Sequence, residues 1–337
     1  MKPTMLFAFM LALCVQIEAN NIYVSQNATG SGSSWSDALG SLTEALSLAK
    51  EGDQIWVSKG TYTPSDSDRS KSFVIPNGVK VYGGFVGNEI SLSQRRVQEN
   101  ITTLSGEIGK SGISDNSFTI VYFERVNNET TLDGFSITAG NANGELEEGN
   151  PSRCGGAIYI NGENSVSSPL IANCSLTSNF GRDGAAVYNN GRNGVSEPIF
   201  INCIFSNNEA GLDGGAVYND GRQSGKSIPT FTNCRFERNM GTYGGAICNA
   251  TESGICNLIM NNCSFIENAA YLRGGAVFSL NGDEKCFLEM SDCQFQNNFP
   301  DDQNMIFTVT SVAVMLIKLL ELSLNFLCHV TQLQNNN

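Results

Sequence analysis

A pair of motifs that returns about every thirty residues constrains this chain more than any other feature of it. The small triplet Gly155-Gly156-Ala157 recurs as Gly184-Ala185-Ala186, Gly214-Gly215-Ala216, Gly244-Gly245-Ala246 and Gly274-Gly275-Ala276, which sets successive last alanines 29, 30, 30 and 30 residues apart. A second motif keeps the same step: Cys174, Cys203, Cys234, Cys263 and Cys293 are spaced 29, 31, 29 and 30. Each cysteine is preceded by Asn173, Asn202, Asn233, Asn262 or Asp292, and is followed two residues later by Leu176, Phe205, Phe236, Phe265 or Phe295. Three residues further on comes Asn179, Asn208, Asn239, Asn268 or Asn298. A unit this short cannot bury an apolar face alone, so a fixed period implies units stacked on one another.

Inside the unit the pattern selects strands. Ile171, Phe200, Phe231, Met260 and Met290 lie two residues before the asparagine (or aspartate), the cysteine lies one after it, and the Leu or Phe three after it. Such alternation is the period of a strand. The asparagine breaks the count by one residue, as a corner in the left-handed region would, and Asn and Asp tolerate that region best. Each unit therefore reads as strand, corner, strand, loop, strand. Stacked in register about 4.8 Å apart, the units set amide on amide at the corner and ring on ring inside. A buried ring contributes roughly 2–3 kcal/mol by transfer and up to about 1 kcal/mol more by stacking. The expected fold is all-β, a parallel β-solenoid.

The combination of Gly-Gly-Ala-(Ile/Val) with Phe-x-x-Asn, here Phe205 to Asn208, Phe236 to Asn239, Phe265 to Asn268 and Phe295 to Asn298, resembles the repeat of the polymorphic outer membrane proteins. It is also similar to the wider pectin-lyase-like class of secreted right-handed parallel β-helices. The resemblance covers residues 154–298 and implies a right-handed β-helix at the cell surface. It implies no particular activity, because one fold hosts many functions. The outer membrane proteins continue into a membrane β-barrel, and no such region follows in this sequence.

The rest of the chain is read around this array. Residues 1–19 look like a secretion signal: Lys2, an apolar run over residues 5–15, and Ile17-Glu18-Ala19 as a cleavage site, so that Asn20 begins the mature chain. Residues 20–300 form one expected domain. Within it, 20–64 hold a cap and the first rung, with Leu39, Leu42, Ala45, Leu46 and Ala49 at helical spacing to cover the open end of the solenoid. Residues 72–141 are irregular rungs with short strand signals such as Phe73-Val74-Ile75, Phe118-Thr119-Ile120-Val121 and Thr131-Leu132-Asp133. A polar loop, 142–153, carries Glu145, Glu147 and Glu148 into the regular repeats of 154–298. The tail, 301–337, contains an apolar stretch at 306–327 that admits three readings: a capping helix, an altered terminus, or a membrane anchor, since 22 residues can just span a bilayer.

Composition narrows the chemistry. Net charge is −13 with basic residues scattered, which points away from nucleic acid. The eleven cysteines of a secreted chain would ordinarily signal disulfides. Five of them, however, sit at one inward position, where stacked Cβ atoms about 4.8 Å apart suit a ladder of thiols better than a bridge. Cys256 and Cys286 form a second stacked pair, and Cys248 with Cys256 could close a loop. No metal site is expected: there is no CxxC, and the single histidine, His329, is in the tail.

Carbohydrate-cleaving β-helices need acids, bases or calcium gathered on one outer face. The candidates here are Asp183 and Asp213, each one residue before the small triplet and therefore stacked. Two such carboxylates could act as an acid–base pair or hold a cation, calcium included, although no motif specifies either, and no cofactor is expected. Arg182, Arg192 and Arg222 lie near, the last two at equivalent positions, and could hold an acidic sugar. Tyr159, Tyr188, Tyr218 and Phe278 share one site with Cys248 in the gap. Facing outward they would form an aromatic strip for sugar rings, with Tyr188 and Tyr218 its central members. Facing inward they are core, which is the expectation, although apolar neighbours on both sides leave the alternation undecided. Loops at 189–197 and 219–228 look long and Gly/Asn-rich, a natural recognition surface. Six Asn-x-Ser/Thr sites, including Asn27, Asn100 and Asn249, matter only in a host that glycosylates.

The reading is a secreted or outer-membrane-associated, monomeric adhesion module that recognises polysaccharide or another cell-surface ligand, with membrane association through the tail as an option. The alternatives are a polysaccharide lyase or hydrolase working on an Asp183/Asp213 face, and a structural stalk.

Overall fold

The computed structural model describes residues 19–281 and 286–300, and the backbone of strand Met305–Thr308. The expected signal segment up to residue 18, the apolar stretch 309–327 and His329 lie outside the described residues. Among the described residues no helix is long and apolar enough to cross a membrane. The chain winds into a right-handed parallel β-helix of about nine turns, its strands paired in parallel with the coil before and the coil after.

One coil shows how the repeat folds. Strand Val187–Asn190 pairs with Ile158–Asn161 on one side and Val217–Asp220 on the other. The chain then turns through Val195–Ser196, Ile199–Ile201, Ile204–Ser206 and Glu209–Ala210 before the next small triplet. The first corner is the motif asparagine, at φ 50, 54, 54 and 52° for Asn173, Asn202, Asn233 and Asn262, with Asp292 at 54°. A second left-handed corner follows five residues later at Ser178, Asn207, Arg238, Glu267 and Asn297. The third is the first glycine of the triplet: Gly214 sits at φ 66°, and a Cβ there would meet the Val217 carbonyl oxygen at 2.3 Å.

Register turns each motif position into a column. Phe205, Phe236, Phe265 and Phe295 stack face to face with centroids 4.6, 4.7 and 4.9 Å apart, and Phe200 lies 4.8 Å from Phe231. These spacings equal the distance between strands. Cys174, Cys203, Cys234 and Cys263 are buried free thiols in the same bore, and Cys293 is a half-buried one at its end. Two amide columns run alongside. At the first corner, the Asn262 side chain donates to Asn233, Asn233 to Asn202, and Asn202 to Asn173, on the exposed side of the wall. The second column, Asn179, Asn208, Asn239, Asn268 and Asn298, is buried. There each amide donates at 2.9–3.0 Å to the carbonyl oxygen of the next, which also accepts from a backbone N–H.

The first end of the bore is closed by helix Leu42–Leu48, capped by Ser41, whose hydroxyl accepts from Glu44 N, and burying Leu42, Ala45 and Leu46. Leu39 is outside this helix and bridges to Val24 instead, so the helical spacing overran its start. In the irregular rungs the strand expected at 118–121 is displaced to Val121–Glu124, where it pairs with Ile158–Asn161. The loops at 189–197 and 219–228 do not project. Val195–Ser196 and Lys226–Ser227 are strands that stack on Val166–Ser167 and on each other, and the buried hydroxyl of Ser227 accepts from Asn189 Nδ2. Glycines and polar residues there serve tight stacking, which composition alone cannot distinguish from a mobile loop. Asn249 is fully buried between Asn219 and Ser279, so its sequon is closed to glycosylation.

The two amide columns are expected to differ sharply under substitution. Asn239→Ala removes a buried acceptor and two donated bonds and should cost about 2–4 kcal/mol, close to the roughly 3–5 kcal/mol expected for Phe236→Ala. Asn233→Gly, at an exposed corner that glycine also adopts, should change stability by only a few tenths of that. Urea unfolding of the three variants, read by circular dichroism, checks the order.

Candidate functional site

Chemically distinctive side chains gather on the outside of the stack that contains Val187–Asn190. Along each strand Val187, Val217 and Ile247 face the bore, and the next residue faces away from it: Tyr159, Tyr188, Tyr218, Cys248 and Phe278 form a separate cluster with Cys154 and Ala250. The expectation that the aromatic column belongs to the main core is therefore corrected, and so is the alternative of an exposed strip. The column faces outward but is buried, Tyr188 completely and Tyr218 to within 4%. Its faces are already taken, since Tyr122, Tyr159, Tyr188 and Tyr218 stack on one another at 5.3–5.6 Å with interplanar angles of 3–16°. A sugar ring would meet edges and hydroxyls rather than faces.

The acidic loop 143–153 lies across the Tyr159 and Tyr188 end of this column as a strap. Tyr159 OH donates to Gly149 O at 2.5 Å, and Thr119 Oγ1 donates to Pro151 O at 2.8 Å. Beneath the strap, Asp220 is buried with no exposed side-chain surface. Its carboxylate accepts from Tyr188 OH at 2.6 Å, from Arg192 Nε at 2.5 Å, and from Arg222 Nε and Nη2 at 2.9 and 2.8 Å. Burial alone would raise the Asp220 carboxyl, but the Arg222 and Arg192 guanidiniums hold it below the ordinary carboxylate range. Burial, followed by the Asp220 charge, pushes the Tyr188 phenol well up, so it stays a proton donor.

The outer edges of the same guanidiniums turn to the strap. Arg222 Nη1 lies 2.7 Å and Arg192 Nη2 3.7 Å from Glu148 Oε1, while Arg192 Nη1 donates to the Glu148 carbonyl at 3.0 Å. Arg192 and Arg222, the sequence candidates for holding an acidic ligand, thus already hold two carboxylates of their own chain. Asp220 was not singled out from sequence, while Glu148 entered only as one acid of the 142–153 loop and Tyr159 only as a member of the aromatic column. A usable signal was present in the repeated Asn190-Gly191-Arg192 and Asp220-Gly221-Arg222, where one carboxylate enters an amide column beside two stacked cations.

Asp183 and Asp213 are neighbours in the turn column, as expected, but Asp183 is 3% exposed. Its carboxylate accepts from Cys154 Sγ at 3.7 Å and lies 3.5 Å from Arg153 Nε. Burial raises its pKa, against the pull of Arg153. Asp213 accepts from the Tyr243 backbone N–H at 3.2 Å. Asp183 is thus built into the layer under the strap, while Asp213, one coil further on, is half-buried. Arg182 lies beside Arg153, and burial followed by that like charge lowers its pKa. The described cysteines are free, and Cys256 donates to the Asn219 and Ala250 carbonyls rather than closing a loop with Cys248. Burial pushes the Cys174 thiol up to about 12, which suppresses the thiolate a metal or an electrophile would need. Among the described residues no group of three or more His, Cys, Asp or Glu is placed to hold a metal ion.

A polar cleft of about 560 Å³ opens elsewhere, between residues 86 and 100. Its charges are internally matched: Glu89 accepts from the backbone N–H groups of Val86, Gly87 and Asn88, Arg95 pairs with Asp133, and Arg96 pairs with Glu99.

Asp220→Asn should destabilise the fold by about 3 kcal/mol, because two buried guanidiniums lose their shared anion. The lowered pKa fixes the sign of the pH effect. The Asp220 contribution is complete above the ordinary carboxyl value of 3.8 and disappears as pH falls through the lower folded value. Melting temperatures recorded from about pH 5 to about pH 2 should therefore fall more steeply in the wild type than in the variant.

Solved structures similar to this chain include three that cover most of it. Escherichia coli ybhc matches with a TM-score of 0.45 at 14% identity, over 87% of this chain and 74% of that one. The pectate lyase Pel9A matches with a TM-score of 0.38 at 13% identity, over 85% and 79%. The polygalacturonase from Erwinia carotovora ssp. carotovora matches with a TM-score of 0.30 at 10% identity, over 87% and 97%. No curated protein matches the sequence significantly. A family model does match, over residues 24–271, and on that span this β-helix belongs to the family described as protein of unknown function, DUF1565.

Proposed function

We propose that this protein is a secreted or outer-membrane-associated surface module that recognises glycans or another surface ligand and performs no chemistry of its own. The observation that supports this best is the exposed wall on either side of the first corner. Asn202, Asn233 and Asn262 are exposed there in one column. Each donates one N–H to its neighbour, and the remaining polar surface of the amides faces solvent. Parallel to it run the outward side chains of Ser175–Thr177, Ile204–Ser206, Arg235–Glu237 and Ser264–Ile266, a mixed polar and apolar surface repeating at the strand spacing. A wall with a repeat suits a ligand with a repeat, and its rigidity lowers the entropy lost on binding. The non-catalytic part of the reading is supported by Asp183, whose carboxylate is covered and paired rather than open to a substrate. The surface location is supported by the secretion-like leader and by the paired motifs that resemble the polymorphic outer membrane repeat.

The test is to express the full chain in a secreting host and pass it over immobilised neutral and acidic polysaccharides, following both retention and new chain ends. Retention without new ends is expected, with the mature chain beginning at Asn20. Asn233→Asp, which places a charge in the exposed column, should weaken retention by about tenfold, in line with loss of one well-placed polar contact. Chain cleavage that disappears in Asp213→Asn would replace this reading with an enzymatic one, and the absence of retention on any polysaccharide would leave a stalk or a protein ligand.

A further inference from the structure

The face under the strap stands apart from the glycan-facing wall and carries its own inference. Asp220 fixes the inner edges of Arg192 and Arg222, and Glu148 occupies the outer edges. The geometry is that of a carboxylate receptor with a resident ligand. Three features set that ligand apart from the rest of the fold. The Glu148 side chain is 37% exposed, whereas those of Arg192 and Arg222 are 13% and 11%, so the receptor is built in and the ligand is on the outside. The strap seats imperfectly, for Ser152 Oγ is buried without a hydrogen-bond partner and Arg153 Nε, also without one, reaches Asp183 Oδ2 only at an ion-pair distance of 3.5 Å. It also touches the receptor through a glycine: Gly149 is at φ 85°, and a Cβ on it would lie 2.6 Å from Arg192 Nη1.

We infer that the strap is an autoinhibitory segment, and that the Arg192/Arg222 pair with Tyr159 OH forms a docking site for an acidic peptide segment of a partner, bound in place of Glu148-Gly149. The class of ligand follows from what the strap itself presents. It offers one glutamate carboxylate to the two guanidiniums, its own carbonyl to Arg192 Nη1, and the next carbonyl to Tyr159 OH. Those are a peptide's acceptors at a peptide's spacing. With Glu148 removed, the site holds two guanidiniums against one carboxylate and is left with unmatched positive charge, in a chain whose net charge is −13.

A tethered strap competes at an effective concentration of about millimolar, so the wild type should bind an added peptide weakly. The experiment uses the full chain and a fluorescent peptide with the sequence of residues 143–153, read by anisotropy. Glu148→Gln should bind this peptide at least about tenfold more tightly than the wild type, because the competitor loses a charge-assisted contact that the probe retains. Replacing the probe glutamate that corresponds to position 148 with glutamine should abolish the gain, and so should adding Arg222→Gln to the protein. The probe substitution leaves the protein untouched and so decides the matter even if Arg222→Gln unfolds. No gain in Glu148→Gln would mean that the strap is simply part of the fold. A gain insensitive to either glutamine would place the peptide elsewhere, and a gain for an acidic polysaccharide but not for the peptide would overturn the assignment of ligand class. Retention on polysaccharides by the exposed wall should be unchanged in Glu148→Gln, which keeps failure of this inference distinct from failure of the glycan reading.

Discussion

Everything in this molecule depends on parallel stacking in register, which makes each residue the neighbour of its own counterpart about 4.8 Å away. Side chains that attract their own kind are favoured at every position of the repeat. Phenylalanine stacks on phenylalanine with planes within 3–8° of parallel. Asparagine suits the rule equally well, since one amide is both donor and acceptor, so that each bonds the next in the column and in the buried column gives its second N–H to a backbone carbonyl. Thiols are small and weakly polar, so a column of cysteines fills the bore beside the rings without calling for a counter-group.

Charges are the exception, because a stacked column sets like against like. Where this chain repeats a charge it must interleave the opposite one. Arg192 and Arg222 occupy equivalent positions, and the carboxylates of Asp220 and Glu148 lie against both. Asp183 and Asp213 are likewise stacked, and Arg153 from the strap stands against Asp183. The strap thus delivers a carboxylate to the arginine pair and a cation to Asp183. It complements a ladder that could not otherwise carry those charges.

This rule also marks where the sequence was readable. The period, the strand alternation and the asparagine corner all express self-neighbouring, and each can be seen without coordinates. The second left-handed corner could not be seen, because Arg238 and Glu267 adopt φ of 51 and 55° there, and neither residue type announces such a conformation. The orientation of Tyr188 was undecidable for a related reason. A parallel strand covered on both faces reads as a continuous apolar run, and here the bore covers Val187 while the strap covers Tyr188. The counter-charge Glu148 was hidden by distance in sequence, lying 44 residues before Arg192, whereas Asp220, two residues before Arg222, was legible in the repeated Asn190-Gly191-Arg192 and Asp220-Gly221-Arg222.

The partition of the surface follows from the same constraint. Exposed columns can be rich in amides and hydroxyls at no electrostatic penalty, so the wall beside Asn202, Asn233 and Asn262 is regular, neutral at its corner and extensible by further coils. A charged site cannot be extended in that way, since each added cation needs an interleaved anion. It is confined to the two coils that share Asp220, next to a loop that reaches forward across them. A repeat protein of this kind therefore carries its repetitive polar surface on its bare walls, and its singular buried charge cluster where a loop breaks the repeat.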